Sequence, residues 1–580
     1  MALVACALAM LAARTAVAQH TAARHKAETA RVSVVPDLIF FNGVIYTGEG
    51  FATDRPEVVE AMAIRGGKIV AVGKTADVKK LAGPRTAMRD LHGGNGAVIF
   101  PGFNDAHVHL GSAGLTKLTV ELHGVGSLNE MLDRVEAAAK AAPAGQWLTG
   151  GGWDHTLWAD SALPTRQALD TVTGGHPALF ERVDGHIAVA NTAALKAAGI
   201  TGKTKAPLGG AIDLDADGNP TGIVRDTAVG LVARVIPPPS EALRRKGDKL
   251  AIEDAIEHGI TSVQDFSDWK DFLVYEDLER EGELPLRITE WLPFKDPLPE
   301  LKRMRAHHSA SDPMLHTGFL KGFMDGSLGS RTAALKAPYS DDASNRGLPR
   351  YTQANLNRMT VERAKAGFQI GFHAIGDKAV EMALDAYSQP GVSRTARNRI
   401  EHAQVVDPKD IPRFKKLGVI ASMQPSHVLT DMNWAEARLG LQRAEYSYAW
   451  KSFLDAGVPL AFGTDYPVEP ITPFRGVYAA VTRTNEAGTM TYFPAEAITR
   501  GQALYAYTQG SAYAEFAEKR KGKLEPGFEA DFIVVDRNLY TVPERDLLST
   551  RVLETWVGGR QVYSAGGANP GGRGSAGKLQ

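Results

Sequence analysis

Eight short apolar runs that end in polar chemistry constrain this chain more than any other feature. They lie at Val98 to Phe103, Thr261 to Asp265, Arg287 to Trp291, Phe319 to Met324, Gln369 to His373, Arg399 to His402, Val419 to Met423 and Leu460 to Thr464. Most are separated by segments with helical patterning, such as Asn355 to Ala366 and Ala379 to Tyr387. Repeated strand–helix alternation favours parallel pairing. Eight such units close into a TIM barrel, whose sites lie at the carboxyl ends of the strands. Residues 110–250 separate the first two runs, a stretch too long for a loop. It reads as an inserted α/β lid domain. At 580 residues the chain also exceeds what one compact core accommodates.

Both ends carry a different pattern. Leu38-Ile39-Phe40-Phe41, the turn Asn42-Gly43 and Val44-Ile45-Tyr46 read as one hairpin; Met62-Ala63-Ile64, Gly66-Gly67 and Ile69 to Val72 read as a second. Similar runs return at Asp531 to Val535, Val552 to Val557 and Gln561 to Tyr563. The expected fold is therefore α/β: a (β/α)8 barrel, an inserted α/β domain after strand 1, and a small composite β-sandwich made from both termini. The boundaries follow as 36–98 and 520–565 for the sandwich, 99–110 and 250–519 for the barrel, and 111–249 for the insertion. Residues 566–580 are glycine-rich and expected to be disordered. Ala2 to Ala18 is apolar and closes on Ala16-Val17-Ala18, the pattern of a signal peptide at 1–18. A periplasmic or secreted protein is the expectation, and a cytoplasmic one if that segment does not function. The sole cysteine, Cys6, lies inside it, so a mature chain needs no disulfide. With 65 basic and 66 acidic residues nothing points to nucleic acid, and no mature segment is apolar enough for a membrane.

Chemistry-bearing residues fall at the strand ends. His107 and His109 are two apart, so on an extended strand their imidazoles share a face and can hold one metal ion. An isolated His-x-His is more often a pair of surface histidines. Here, however, the fifth run ends in His373, the sixth in His402, and the eighth leads to Asp465. Ligand types at four strand ends together are hard to obtain by chance.

The segments PGFNDAHVHL, GGWD, ERVDGHIAVAN, DADGNPTGIVRD, KGFMDGSLGSRTA, FHAIGDKA, RIEHAQ, SMQPSH, FGTDYPVEP and GKLEPGFEADFIVVD, between residues 101 and 536, carry a resemblance. The chain resembles the amidohydrolase superfamily, family 3, in the YtcJ-like branch that includes N-substituted formamide deformylase. It departs at Thr464, where serine is commoner, and at Asp226, where many relatives carry Glu. The resemblance implies His107 and His109 on one metal, His373 and His402 on a second, and Lys321 bridging them as a carboxylated lysine. A plain Lys321 paired with Asp325, beside a single metal, is the alternative. Zinc suits nitrogen and oxygen ligands, with manganese, iron and cobalt also open. Asp465 would ligate metal and, as the catalytic residue, carry a proton from water to the leaving amine.

Trp153, Asp184, His186, Arg331 and His427 would line a substrate pocket, although core packing suits Trp153 and helix capping suits Asp184 and His186. The expected function is hydrolysis of a non-peptide C–N bond, linear or cyclic, in a small-molecule substrate. Hydrolysis of an ester, lactone or amidine at the same site is one alternative, and a non-catalytic exported metal- or ligand-binding protein is another. A homodimer is left open.

Overall fold

The computed structural model describes residues 35–92, 97–183, 186–207 and 210–566. The leader at 1–18 and the tail from 567 lie outside the described residues. Eight parallel strands form one sheet in chain order: β1 (Phe103–Val108), β2 (Ile260–Asp265), β3 (Arg287–Pro293), β4 (Leu315–Phe323), β5 (Gln369–Ala374), β6 (Arg399–His402), β7 (Ile420–Met423) and β8 (Leu460–Phe462). The barrel shuts through the segment after β8. Asp465 N–H donates to the His107 carbonyl at 2.8 Å, and His109 N–H donates to the Tyr466 carbonyl at 2.8 Å. Asp105, fully buried, accepts the Thr464 backbone N–H and, at 2.6 Å, its hydroxyl. A serine hydroxyl could make that same bond, so the Thr464 departure keeps the chemistry of the seam. Gly463 is required there, because a Cβ would lie 2.6 Å from the His107 nitrogen.

Seven of the eight expected runs are barrel strands. The first is different. Val98–Pro101 pairs with Val44–Tyr46 and Phe532–Val535 in a terminal sheet, and β1 starts only after Gly102. Two apolar runs meet at Pro101-Gly102, and the sequence reads as one strand where the chain passes from one sheet to the next.

The terminal unit is a sandwich built from both ends. One sheet runs Lys68–Gly73, Ala61–Arg65, Leu38–Phe41, Ala87–Asp90; the other runs Arg560–Ser564, Val552–Val557, Phe532–Val535, Val98–Pro101, Val44–Tyr46, Val58–Val59. Phe40, Phe532 and Trp556 meet in its core, with the last two rings stacked at 5.4 Å. The turn at Gly66-Gly67 closes a hairpin as expected, and Gly558-Gly559 closes another, all four glycines at positive φ. Asn42-Gly43 does not. Its flanking strands belong to opposite sheets, and Asn42 bonds sideways to Asp90 and Thr75.

The insertion holds a six-stranded mixed sheet between Val120 and Asp226. One face packs Met131, Val135, Trp153, Phe180 and Ile223; the other packs Leu179, Leu195, Val224 and Val232. Helices α1 (Leu110–Lys117) and α2 (Glu241–Glu257), at its two ends, lie against the barrel instead. They touch backbone to backbone, since a Cβ on Gly114 would stand 2.2 Å from the Gly247 carbonyl. No helix among the described residues is long and apolar enough to cross a membrane.

Barrel and sandwich are joined by Arg287 on β3, which donates to both oxygens of Asp531 at 2.7 and 2.9 Å with both side chains buried. Removing one partner strands the other charge. Arg287→Ala is expected to lower unfolding free energy by about 3–5 kcal/mol, read from the urea midpoint at unchanged m-value.

Candidate metal centre

The strand ends converge on one point. Nitrogen or oxygen atoms of His107, His402 and Asp465 all lie within 4.8 Å of one another. Asp465 Oδ1 stands 3.1 Å from His109 Nε2 and 3.5 Å from His107 Nε2, and its Oδ2 stands 3.2 Å from His427 Nε2. The His373 and His402 rings are 4.5 Å apart, and the His107 and His402 rings 5.0 Å. Lys321, buried on β4, donates to His107 Nε2 at 2.7 Å.

Two partners set which nitrogen each first-strand histidine presents. His107 Nδ1 bonds Glu401 at 2.7 Å, and His109 Nδ1 bonds the Phe266 carbonyl at 2.9 Å. Both are left with Nε2 toward Asp465. A carboxylate or carbonyl on the far nitrogen is the usual support of a metal-binding imidazole. His373 spends Nε2 on the Gly326 carbonyl, 3.1 Å away. Among the described residues neither ring nitrogen of His402 has a hydrogen-bond partner.

Local backbone explains how two of these side chains reach the centre. On β6, Arg399 and Glu401 share the interior face, and simple alternation would send His402 to the helices. Left-handed turns at His402 (φ 69°) and Ala403 (φ 41°) bring it back. Asp465 is also left-handed, at φ 61°. Such conformations cost about 1–3 kcal/mol each in non-glycine residues and cluster at functional sites.

The electrostatics suit a cation. Burial holds His107 down at about 4 and His373 at about 3, and pushes His402 well below the usual imidazole value. Neutral imidazole is the ligating form. Burial would raise Asp465, but His107, His109 and His427 outweigh it and hold the carboxyl well below its ordinary value. Burial brings Lys321 down to about 8. His427 goes the other way: its bonds to Asp465 and Glu469 overcome burial and raise it to about 10. Three donors, His107, His402 and Asp465, stand close enough together to hold a divalent ion; His109 meets Asp465, Lys321 meets His107, and the His373 ring lies against that of His402. Asp325 does not pair with Lys321. It accepts backbone N–H groups of Ala334, Ile375 and Gly376 instead.

The expected pocket residues mostly lie elsewhere. Trp153 is wholly buried, donates to the Phe180 carbonyl at 2.9 Å and packs near Trp158, so it belongs to the insertion's core. His186 is exposed and bonds Asp226 at 2.8 Å. Arg331 is held by Asp341 at 2.9 Å. None of these three lines the cavity at the barrel mouth. Asp184 lies outside the described residues. His427 does reach the cluster. The cavity itself, about 1550 Å³, lies between the mouth and the insertion, with His109 and Lys321 on its wall. Sequence reasoning passed over Glu401, although it adjoins His402, and Glu469 and Phe266, which support His427 and His109.

The amidohydrolase family model matches residues 94–563. Protein LONG AFTER FAR-RED 3 of Arabidopsis thaliana is 35% identical over 555 residues, 93% of each chain. N-substituted formamide deformylase of Arthrobacter pascens is 27% identical over 554 residues, 92% of this chain and 99% of that one. The structure of a metal-dependent hydrolase from Pyrococcus furiosus aligns at a TM-score of 0.72 and 31% identity, over 87% of this chain and 100% of that one. Glu401→Gln is expected to weaken divalent-metal affinity about 10- to 100-fold without changing the far-UV spectrum, as measured by chelator competition.

Proposed function

The chain belongs to the amidohydrolase family, and we propose that this hydrolase cleaves a non-peptide carbon–nitrogen bond, in a linear or cyclic amide, at the histidine–aspartate cluster. The observation that carries the reading is Asp465. One of its oxygens faces the imidazoles at 3.1 and 3.5 Å, and the other faces His427 at 3.2 Å. A pure binding site has no use for a carboxylate poised between a cation pocket and a charged imidazole. The likeness to N-substituted formamide deformylase supports an amide as the scissile group.

His107, His109, His373, His402 and Asp465 would hold one or two divalent ions, with Lys321 as a bridging ligand in carboxylated form. Zinc is the favoured ion because the donors are nitrogen and oxygen. Burial of Lys321, which brings its amine to about 8, supports that modification by making the neutral amine accessible. When bound, such an ion supplies Lewis acidity, acidifying water and polarising a carbonyl. Asp465 then takes the proton of the attacking water and returns it to the departing nitrogen. An amine leaves poorly without that proton. His427 steadies Asp465 through Oδ2. Glu469, held by Thr430 and Arg475, keeps His427 in place.

Asp465→Asn is expected to keep the fold while turnover falls at least about a hundredfold, the usual scale for losing a general base. Metal content by atomic spectroscopy, followed by turnover on a panel of amides and matched esters, tests the whole reading. Stoichiometric metal with amide cleavage, lost on chelation and restored by zinc, is the expected result. Cleavage of esters alone overturns the bond class, and tight metal with no turnover across the panel overturns the enzyme.

A further inference from the structure

Resting on that reading, we propose that the substrate carries a free carboxylate close to its scissile amide and that Arg350 recognises it. The cavity wall holds several charges, and most are already committed. Arg244 is paired with Asp271, and Asp268 caps the helix that starts at Trp269. Glu290 accepts the Ser267 N–H and is kept neutral by burial and by Asp265. Lys295 acts on its neighbour Asp296 only as a nearby charge, as Arg350 does on Asp325, but Arg350 is the one set beside the reaction centre. Arg350 has no hydrogen bond or ion pair for its guanidinium among the described residues. The nearby Asp325 is engaged by three backbone amides and makes no pair with it.

The position of Arg350 is what matters. Its backbone N–H bonds the Met324 carbonyl at 2.8 Å, fixing it at the end of β4. Its guanidinium lies 5.5 Å over the Phe323 ring, and the same ring is 5.2 Å from Lys321 Nζ and 5.3 Å from the His373 ring. One aromatic ring therefore separates a free planar cation from the reaction centre, and the Arg350–Lys321 distance is at most about 11 Å. A carboxylate bound as a fork at roughly 2.8 Å on the side of Arg350 that faces the cluster would lie within reach of a carbonyl carbon placed there in the same small molecule. Phe266, Trp269 and Phe323 on the same wall suit an apolar body between the two ends. Arg331, the arginine singled out by sequence, cannot serve, because Asp341 already holds it.

The test uses N-acetylphenylalanine, both enantiomers, and N-acetylphenethylamine, which lacks only the carboxylate. Equilibrium binding to the metal-loaded protein and kcat/KM are both measured, for wild type and Arg350→Gln. The acid is expected to bind at least tenfold more tightly than its partner to wild type. Arg350→Gln should erase that preference, leave binding of N-acetylphenethylamine within twofold, and leave thermal stability unchanged. Equal binding of the two compounds by wild type, a preference that survives Arg350→Gln, or no binding of the acid at millimolar concentration overturns the proposal. An Arg350-dependent binding preference without hydrolysis of any panel amide would leave carboxylate recognition by Arg350 standing and remove the hydrolytic reading; hydrolysis without the preference would do the reverse.

Discussion

The seam between the first and last barrel strands is the constraint on which everything else depends. β8 is only three residues long, and the ladder is completed by the segment after it, through Asp105, Thr464 and the His107 and Tyr466 carbonyls. A cylinder of strands has no edge only if this last junction is made. The same junction sets His107 and Asp465 side by side, although they lie far apart in the chain. Closing the fold and assembling the centre are thus one event. A loosened seam would pull the imidazole away from the carboxylate before it exposed much of the core.

Much of this was legible in the sequence because barrel strands announce themselves as short apolar runs with a fixed chemical ending. His373 and His402 could be placed at strand ends by that rule alone. What the pattern could not convey is orientation. His402 lies on the wrong face of β6 by alternation and reaches the centre only through two left-handed residues. Nothing in Arg-Ile-Glu-His signals such a turn. Trp153 suited pocket and core alike in the sequence; the structure takes the second, because Gly150 and Gly151 before it sit in a strand whose neighbours press too close for a side chain and its ring is buried in the insertion. Val98–Pro101 and β1 merged because a proline and a glycine between apolar runs mark a change of sheet no more clearly than a kink.

The interior of the barrel is polar where an apolar filling would be expected. Arg399 is fully buried and bonds Glu401, Ser422, Gln264 and the Ala106 carbonyl. Below it, Glu515 joins Asn104, Thr289 and Lys521, which in turn reaches Ser262. Each member is satisfied by another, which is the condition under which buried charge specifies a structure. Because Glu401 also fixes the His107 ring, this network transmits the register of the barrel wall to the atoms that would hold a cation. The carboxylate is held down at about 2 despite complete burial, because Arg399 and His107 outweigh the loss of solvent.

The composite sandwich has a temporal consequence. Val98–Pro101 lies between Val44–Tyr46 and Phe532–Val535, so one of its hydrogen-bonding edges is complementary to a strand synthesised about 430 residues later. At roughly 5–20 residues per second, a ribosome takes some 20–90 seconds to deliver that partner. Throughout that interval a flat, apolar row of unpaired amides and carbonyls stands open to any passing β-strand. Chaperone demand during synthesis should therefore centre on this strand, and a polypeptide released before Val535 would carry the exposed edge permanently.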